Sequence, residues 1–122
     1  MRELNIGTKN FTKVVVEDEP ADGGACHEYI VLPITVDPVD IHGTFFSRVS
    51  FQKGPVKENG VNGCHNEDLI AIVIDRLECF QAGDFACEEN SSALCSLRIT
   101  LMWLNERTAK RQDRGVEGTS KV

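Results

Sequence analysis

Three short segments in the first half of the chain are rich in β-branched and aromatic residues, and turn residues separate them. They cover residues 11–16, 27–34 and 44–51. Such segments are typical of β-strands, and Pro33 indicates an edge or an end in the second one. Because short turns join them and no crossover helix intervenes, the pattern predicts an antiparallel sheet.

Residues 53–63 interrupt this pattern with three glycines and one proline. That composition predicts a loop without a regular element. Long ordered loops are often functional, whereas an ordinary linker between sheet and helices explains the composition equally well. The glycines lack the spacing of a Walker or dinucleotide-binding motif, so they predict no nucleotide-binding fold.

A helical period governs the second half of the chain. Asn66, followed by two acidic residues, has the features of an N-cap and predicts the start of a first helix. We expect Gly83 to close that helix. A second helix is expected from Ala86 to Arg114, with Gly115 as its stop.

Each helix carries one stripe of positions expected to face inward. The stripe of the first helix is Leu69, Ile70, Val73, Leu77 and Phe80. The stripe of the second is Asn90, Leu94, Leu97, Leu101, Leu104, Thr108 and Arg111. Because the connection is short, the helices should be antiparallel neighbours. The fold class is therefore α+β, an N-terminal antiparallel sheet followed by a two-helix hairpin with a long second helix.

The two helices are expected to differ in length. About 17 residues span about 25 Å, whereas about 29 residues span about 43 Å. The apolar residues 101–104 of the second helix therefore need the sheet or another subunit as a packing partner. We expect a homo-oligomer, a dimer or larger and up to a hexamer, on this ground.

With 122 residues the chain fits one composite domain, a β-rich part over 1–65 and a helical hairpin with its tail over 66–122. The N-terminus lacks the apolar run of a signal peptide. The longest apolar stretch, residues 69–74, is too short to span a bilayer. These features predict a cytosolic protein that does not enter membranes.

The five cysteines are odd in number and lack framework spacing, which favours reduced, buried thiols. Cys26 and Cys64 each precede a histidine, and four such ligands are a zinc alternative. No Cys-x-x-Cys pair supports a zinc site, however. We expect no metal and no cofactor.

Charge is distributed unevenly along the chain. Residues 1–97 carry 7 basic and 16 acidic groups, whereas residues 98–122 carry 6 basic and 3 acidic groups. An acidic body disfavours long nucleic acids, and a compact basic patch suits a small anion. The alternative is that cations near a helix C-terminus simply complement the helix dipole.

Candidate binding residues lie along the predicted hairpin. Arg107, Arg111 and Arg114 share a helical face, and guanidinium groups bind phosphate through paired donors. Asn90 lies among the mainly apolar positions of the stripe. Its amide either hydrogen-bonds a local backbone group or hydrogen-bonds the polar edge of a ligand. Phe80 is expected near Asn90 across the turn, as a core residue or as a stacking platform.

Four stretches of the hairpin carry a resemblance to a known family. They are residues 66–70, 80–90, 103–109 and 114–119, which read NEDLI, FQAGDFACEEN, WLNERTA and RGVEGT. They resemble the hairpin domain shared by two families of phage anti-defence sponges. The β-rich first half distinguishes the Thoeris anti-defence family of the first kind from the all-helical anti-CBASS family.

The resemblance implies a function in the cytoplasm of the infected host. Members bind and sequester glycocyclic ADP-ribose signals without cleaving them, and some also take up cyclic oligonucleotides. By resemblance, Phe80 and Arg107 flank the adenine, Asn90 hydrogen-bonds its polar edges and Arg111 meets a phosphate. Weaker candidates, from loop position and charge, are Lys57, Asn62 and Arg114.

Two other classes of function compete with a sponge. One is a hydrolase of the same signal with His42 or His65 as base, although no second catalytic group is paired with either histidine in the sequence. The other is an inhibitor that docks the exposed end of the second helix on a host protein. The absence of catalytic motifs favours a binding protein that is not an enzyme.

Overall fold

The computed structural model describes residues 1–7, 10–37 and 45–122. The chain divides into two compact units, Met1–Cys64 and His65–Val122. The first is the β-rich unit and the second is the helical unit. No helix in the described residues is long and apolar enough to cross a membrane.

The β-rich unit contains an antiparallel sheet whose four described strands follow one another in chain order. The strands are β1 (Arg2–Glu3), β2 (Thr12–Val16), β3 (Glu28–Pro33) and β4 (Ser47–Ser50). Together with the helices that follow, this sheet confirms the predicted α+β class. β3 ends at Pro33, as its sequence indicated.

Apolar side chains on one face of the two central strands form the core of this unit. Val15 pairs directly with Ile30 across the ladder, and Leu32 lies two residues further on the same face. All three are fully buried, and Val36 packs against them. Their burial explains why the β-branched run in β2 forms a central strand.

The third predicted strand is shorter than its sequence pattern. β4 begins at Ser47, and Phe45 and Phe46 precede the strand. Thr44 lies outside the described residues, as do residues 38–40 of the turn predicted over 37–40. Pairing with β3 ends where Val31 meets Ser47. Because Pro33 has no N–H to donate, it limits how far this ladder can extend.

The segment 53–63 contains a regular element, so the prediction of a plain loop is wrong. Val56–Asn59 form one helical turn, α1, which the N–H of Gly60 closes by donating to the carbonyl of Val56 at 2.8 Å. Pro55 presets the backbone before the turn. Gly60 follows with φ +72°, a conformation that favours glycine.

The helical unit consists of α2 (Asn66–Gln81) and α3 (Glu88–Asp113). The N-cap of α2 is His65, one residue before the predicted Asn66. The Asp68 carboxylate accepts the N–H of His65 at 2.8 Å, which fixes the start at that residue. Gly83 does not form the expected left-handed cap, because the helix already closes at Ala82.

The predicted inward stripe of α3 is confirmed at all seven positions. These seven residues are the ones that are buried or half-buried along this helix, and the rest are exposed. In α2, Val73 is 44% exposed and Ile74 takes its place in the stripe. α3 ends at Asp113 with Arg114 as its C-cap, and Gly115 follows with φ +72° as the predicted stop, where the N–H of Val116 donates to the carbonyl of Arg111.

Only Cys26 among the five cysteines is buried, and Cys79, Cys87 and Cys95 are exposed. The prediction of buried thiols is therefore wrong for the three cysteines of the hairpin. All five are free. The described residues contain no group of three or more potential metal ligands.

Two carboxylates fasten the start of β3. Asp18 accepts the N–H groups of His27 at 2.9 Å and Glu28 at 3.0 Å. Burial opposes its ionisation, but these donors outweigh burial and lower the pKa of Asp18. Glu28 accepts hydrogen bonds from Lys53 and Ser50, both at 2.6 Å, and the bond from Lys53 is the main cause of its lowered pKa.

Acid should therefore destabilise the β-rich unit first. Carboxyl groups with lowered pKa values bind fewer protons when folded than when unfolded, so their stabilisation is present above the unfolded pKa of about 4 and is lost below it. We expect amide hydrogen exchange in β2 and β3 to accelerate as pH falls from 5 to 3, after correction for intrinsic rates. Asp18→Asn should flatten this pH dependence, whereas Glu19→Gln, at an exposed position, should leave it unchanged. An unaltered dependence in Asp18→Asn would contradict this role.

Candidate functional site

The turn between α2 and α3 is fixed by one side chain. The Gln81 amide donates to the carbonyl of Cys87 and accepts the N–H of the same residue, both at 3.0 Å. Arg98 on α3 donates to Glu78 on α2 at 2.9 Å. These bonds set the antiparallel pairing that brings Phe80 and Asn90 to the same end of the hairpin.

Phe80 lies half-buried at the end of α2. Its ring centroid is 6.2 Å from that of Phe85, which meets it edge-on, and 4.9 Å from the guanidinium carbon of Arg76. Phe85 itself is exposed. An aromatic in this position can pack against its neighbours and still offer part of its surface to a flat ligand.

Asn90 lies beside this aromatic group. Its Nδ2 donates to the carbonyl of Phe85 at 3.2 Å, so the side chain satisfies a local backbone group. Within the described residues its Oδ1 accepts no hydrogen bond. The two roles expected for Asn90 are therefore compatible, because one end of the amide holds the turn and the other can accept from a ligand.

Arg107 is exposed on α3, and its guanidinium has no hydrogen bond or ion pair in the part of the chain that the structure describes. Arginine donors that face water in this way are available to an anionic group. Of the arginines proposed from the sequence, Arg107 is the one that keeps all its donors free.

Arg111 is differently placed, because its guanidinium is directed into the C-terminal tail. It donates to the Glu117 carboxylate at 3.0 Å and to the carbonyls of Val116, Thr119 and Lys121 at 2.9–3.2 Å. Its side chain is only 13% exposed. Arg111 therefore lies largely buried against the tail and is not a guanidinium whose donors face solvent, as a phosphate contact would need.

Arg114 also holds the tail, through a 2.6 Å hydrogen bond from its guanidinium to the carbonyl oxygen of Val122. The two arginines together fasten residues 116–122 against the end of α3. In this structure Arg111 and Arg114 therefore stabilise the tail by donating hydrogen bonds to it.

The hairpin keeps the predicted site residues in two separate groups. Asn90 and Arg107 are 17 positions apart on one unbroken helix. At a rise of 1.5 Å per residue, this separation is about 25 Å, and Arg111 is one turn further. Phe80 and Asn90 therefore cannot contact the same nucleotide as Arg107 and Arg111 of the same chain.

The two ends of the hairpin differ in charge. Residues 75–90 carry five acidic groups and one basic group, Arg76. Residues 104–114 carry four basic and two acidic groups. An anion is therefore favoured at the far end of α3, whereas the turn end suits an uncharged ring.

Two of the weaker candidates, Asn62 and Lys57, belong to the β-rich unit. Asn62 uses both ends of its amide on the backbone of Lys53, at 2.7 and 2.8 Å, so its side chain closes the loop over 53–62. Lys57 lies exposed on α1. The hydrogen bonds of Asn62 therefore assign it a structural role here, and the Lys57 ammonium group has no partner in the part of the chain that the structure describes.

Of the two histidines proposed as bases, His65 has no evident catalytic partner among the described residues. His65 is exposed at the start of α2, and its Nδ1 is 3.9 Å from Asp68, a residue already engaged in capping that helix. His42 lies outside the described residues. A hydrolase built on His65 would need a nucleophile or an acid that its neighbours do not supply.

Sequence reasoning missed two residues of this region. Arg76 precedes Phe80 by four positions, a helical spacing that predicts a contact between them. Glu117 is separated from Arg111 by the end of the helix, and no periodicity indicates that the two side chains meet. The first of these contacts was readable from the sequence, whereas the second depends on the path of the tail.

The chain matches known proteins in two comparisons. The family model described as the Acb2/Tad1 hairpin domain matches residues 47–109. A relative from Bacillus phage SBSphiJ7, named Thoeris anti-defense 1, is 43% identical over an alignment of 139 residues that covers 98% of both chains. The first match spans about half of the chain and the second nearly all of it.

Replacing Arg111 should destabilise the helical unit, whereas replacing Arg107 should not. Arg111→Ala removes four hydrogen bonds of a largely buried guanidinium, for which we expect a loss of about 1–3 kcal/mol and faster hydrogen exchange over residues 116–121. Arg107→Ala removes an unpaired surface cation and should stay within about 0.5 kcal/mol of the parent. Thermal melting by circular dichroism compares the two variants. Parent-like melting and tail exchange in Arg111→Ala would show that the tail does not depend on this clamp.

Proposed function

This chain belongs to the family of Thoeris anti-defense 1 and carries its Acb2/Tad1 hairpin domain, and from this membership we propose that it is a phage anti-defence protein that binds and sequesters glycocyclic ADP-ribose. The ligand is held and not cleaved, so the protein acts as a sponge and not as an enzyme. Cyclic oligonucleotide signals are a further ligand class for the same protein. Its place of action is the cytoplasm of the infected bacterium, where such signals are made.

One observation carries this proposal: the hairpin presents recognition groups with capacity left for a ligand. Within the described residues, the half-buried Phe80 keeps part of its ring surface, the Asn90 amide oxygen accepts no hydrogen bond, and the exposed Arg107 guanidinium is unpaired. An adenine needs a flat partner and polar contacts, and a diphosphate needs compact positive charge. Sequestration requires nothing further, and no nucleophile–base pair is evident beside these groups.

The binding site is formed between two copies of the chain. Because about 25 Å separates Asn90 from Arg107 on one helix, the turn end of one hairpin must meet the basic end of another. Antiparallel pairing of two hairpins places the acidic end of each beside the basic end of its partner. It also gives an apolar partner to Trp103, which is 63% exposed. The protein is accordingly a homo-oligomer, a dimer or a larger assembly such as a hexamer.

Each residue has a role in this composite site. Phe80 of one copy and Arg107 of the other flank the adenine, and Asn90 accepts a hydrogen bond from its edge. Arg111 and Arg114 meet the phosphates after exchanging tail carbonyls for phosphate oxygens. Lys57 and Asn62, in the β-rich unit, remain weaker candidates that rest on loop position and charge.

Incubation of the protein with glycocyclic ADP-ribose, followed by heat denaturation and chromatography, tests sequestration directly. We expect the ligand to be released intact. Arg107→Ala should weaken binding about 10- to 100-fold, the loss typical of a charge-assisted hydrogen bond. Lys110→Ala, which removes an exposed cation on the same helix, is the matched control and should change the affinity far less.

Two outcomes would favour the competing functions. Conversion of the ligand to a linear product would show a hydrolase. No binding of any nucleotide signal, together with a stable complex with a host defence protein, would show an inhibitor that docks on protein.

The composite site predicts complementation between inactive variants. Phe80→Ala and Arg107→Ala should each bind poorly, but a 1:1 mixture that is unfolded and refolded together should recover about a quarter of the parental ligand capacity. Half of the random dimers are mixed, and each of these has one intact site of two. Calorimetric stoichiometry measures this fraction. A site confined to one chain would give no recovery.

A further inference from the structure

Arg76 has a position that none of the roles above explains. Its guanidinium carbon lies 4.9 Å from the centroid of the Phe80 ring, one helical turn away on α2. In the described part of the chain this guanidinium has no hydrogen bond and no ion pair. Arg98 on the neighbouring helix, by contrast, is paired with Glu78.

Arg76 and Phe85 each cover part of the surface of the Phe80 ring. Arg76 lies over the ring at cation–π distance, and Phe85 meets it from another side with 64° between the two planes. The ring is therefore restrained by two neighbours, and a flat ligand would have to use the surface that they leave open. A restrained aromatic loses less rotational freedom on binding than a free one.

The charge around this ring makes Arg76 unusual. It is the single basic residue among positions 75–90, which also carry five acidic residues. A cation over one face of an aromatic ring is attracted by its π electrons.

We propose that Arg76 is a positioning residue of the binding site, which holds Phe80 in the orientation that stacks on the base. This inference rests on the proposed function. Arg76 acts through the ring and does not itself bind the phosphate. The base then lies in a stack that runs from Arg76 through Phe80 to the base and on to Arg107 of a second copy.

A double-mutant cycle tests whether Arg76 acts through the ring. Calorimetric titration with glycocyclic ADP-ribose compares the parent, Arg76→Gln, Phe80→Leu and the double variant. We expect Arg76→Gln to weaken binding about two- to fivefold in the parent, the range of an exposed cation–π contact. It should have no further effect in Phe80→Leu, because the ring through which it acts is gone.

Two additional variants separate positioning from general effects. Arg76→Lys keeps the cation over the ring and should retain most of the affinity. Lys110→Gln removes an exposed cation from the same hairpin, away from the Phe80 ring, and should bind nearly as the parent does. Titration at several salt concentrations adds an independent measurement, since a direct phosphate contact weakens with salt and its loss would lower that salt dependence. Arg76→Gln should leave the salt dependence unchanged.

The outcomes distinguish this inference from the proposed function. A parent protein that does not bind glycocyclic ADP-ribose overturns both. If the parent binds and Arg76→Gln costs the same factor with and without the Phe80 ring, or lowers the salt dependence, the positioning role alone is overturned. Should Arg76→Gln prove unstable, Arg76→Met, which also removes the cation, completes the cycle with and without Phe80→Leu.

Discussion

The unbroken length of α3 is the constraint on which the rest of the hairpin depends. It has 26 residues, whereas its partner α2 has 16. Part of its apolar surface therefore has no counterpart in α2, and its polar recognition groups are separated by many turns. No adjustment of side chains can close a gap of about 25 Å along a rigid helix. In the site that we propose, a single chain consequently presents two half-sites, so that ligand binding depends on the assembly of the protein.

The sequence contained more information about the helices than about their partners. A helical period reports burial directly, because side chains three and four positions apart share a face. All seven predicted positions of α3 proved correct for this reason, as did the stop at Gly115. In α2 the predicted stripe contained Val73, whereas the inward position is taken by Ile74. Because both residues are apolar and adjacent, the helical period alone does not decide between them. The short helix Val56–Asn59 was missed because its four residues are too few to show a period.

The candidate site was predictable as a set of residue types but not as a geometry. Arg111 has the same spacing signal as Arg107, yet one is directed into the tail and the other faces solvent. What separates them is the path of residues 116–122 after the helix ends, and this path depends on hydrogen bonds between non-periodic positions. Asn62 is a second residue whose hydrogen bonds could not be predicted from the sequence. Its amide is used entirely by the backbone of Lys53, which its place in a glycine-rich segment does not indicate.

A site shared between copies has a thermodynamic consequence that a site within one chain lacks. A ligand that binds only where two hairpins meet stabilises the assembled form over the separate chains, by an amount that grows with the ligand concentration relative to its dissociation constant. Binding and assembly are then reciprocal, since whatever strengthens one strengthens the other. For a sponge this coupling is useful, because ligand released from one site can be recaptured by another site of the same assembly. If the site is shared as we propose, the affinity is a property of the oligomer, and it depends on the exposed middle of α3 as much as on the residues proposed to contact the ligand.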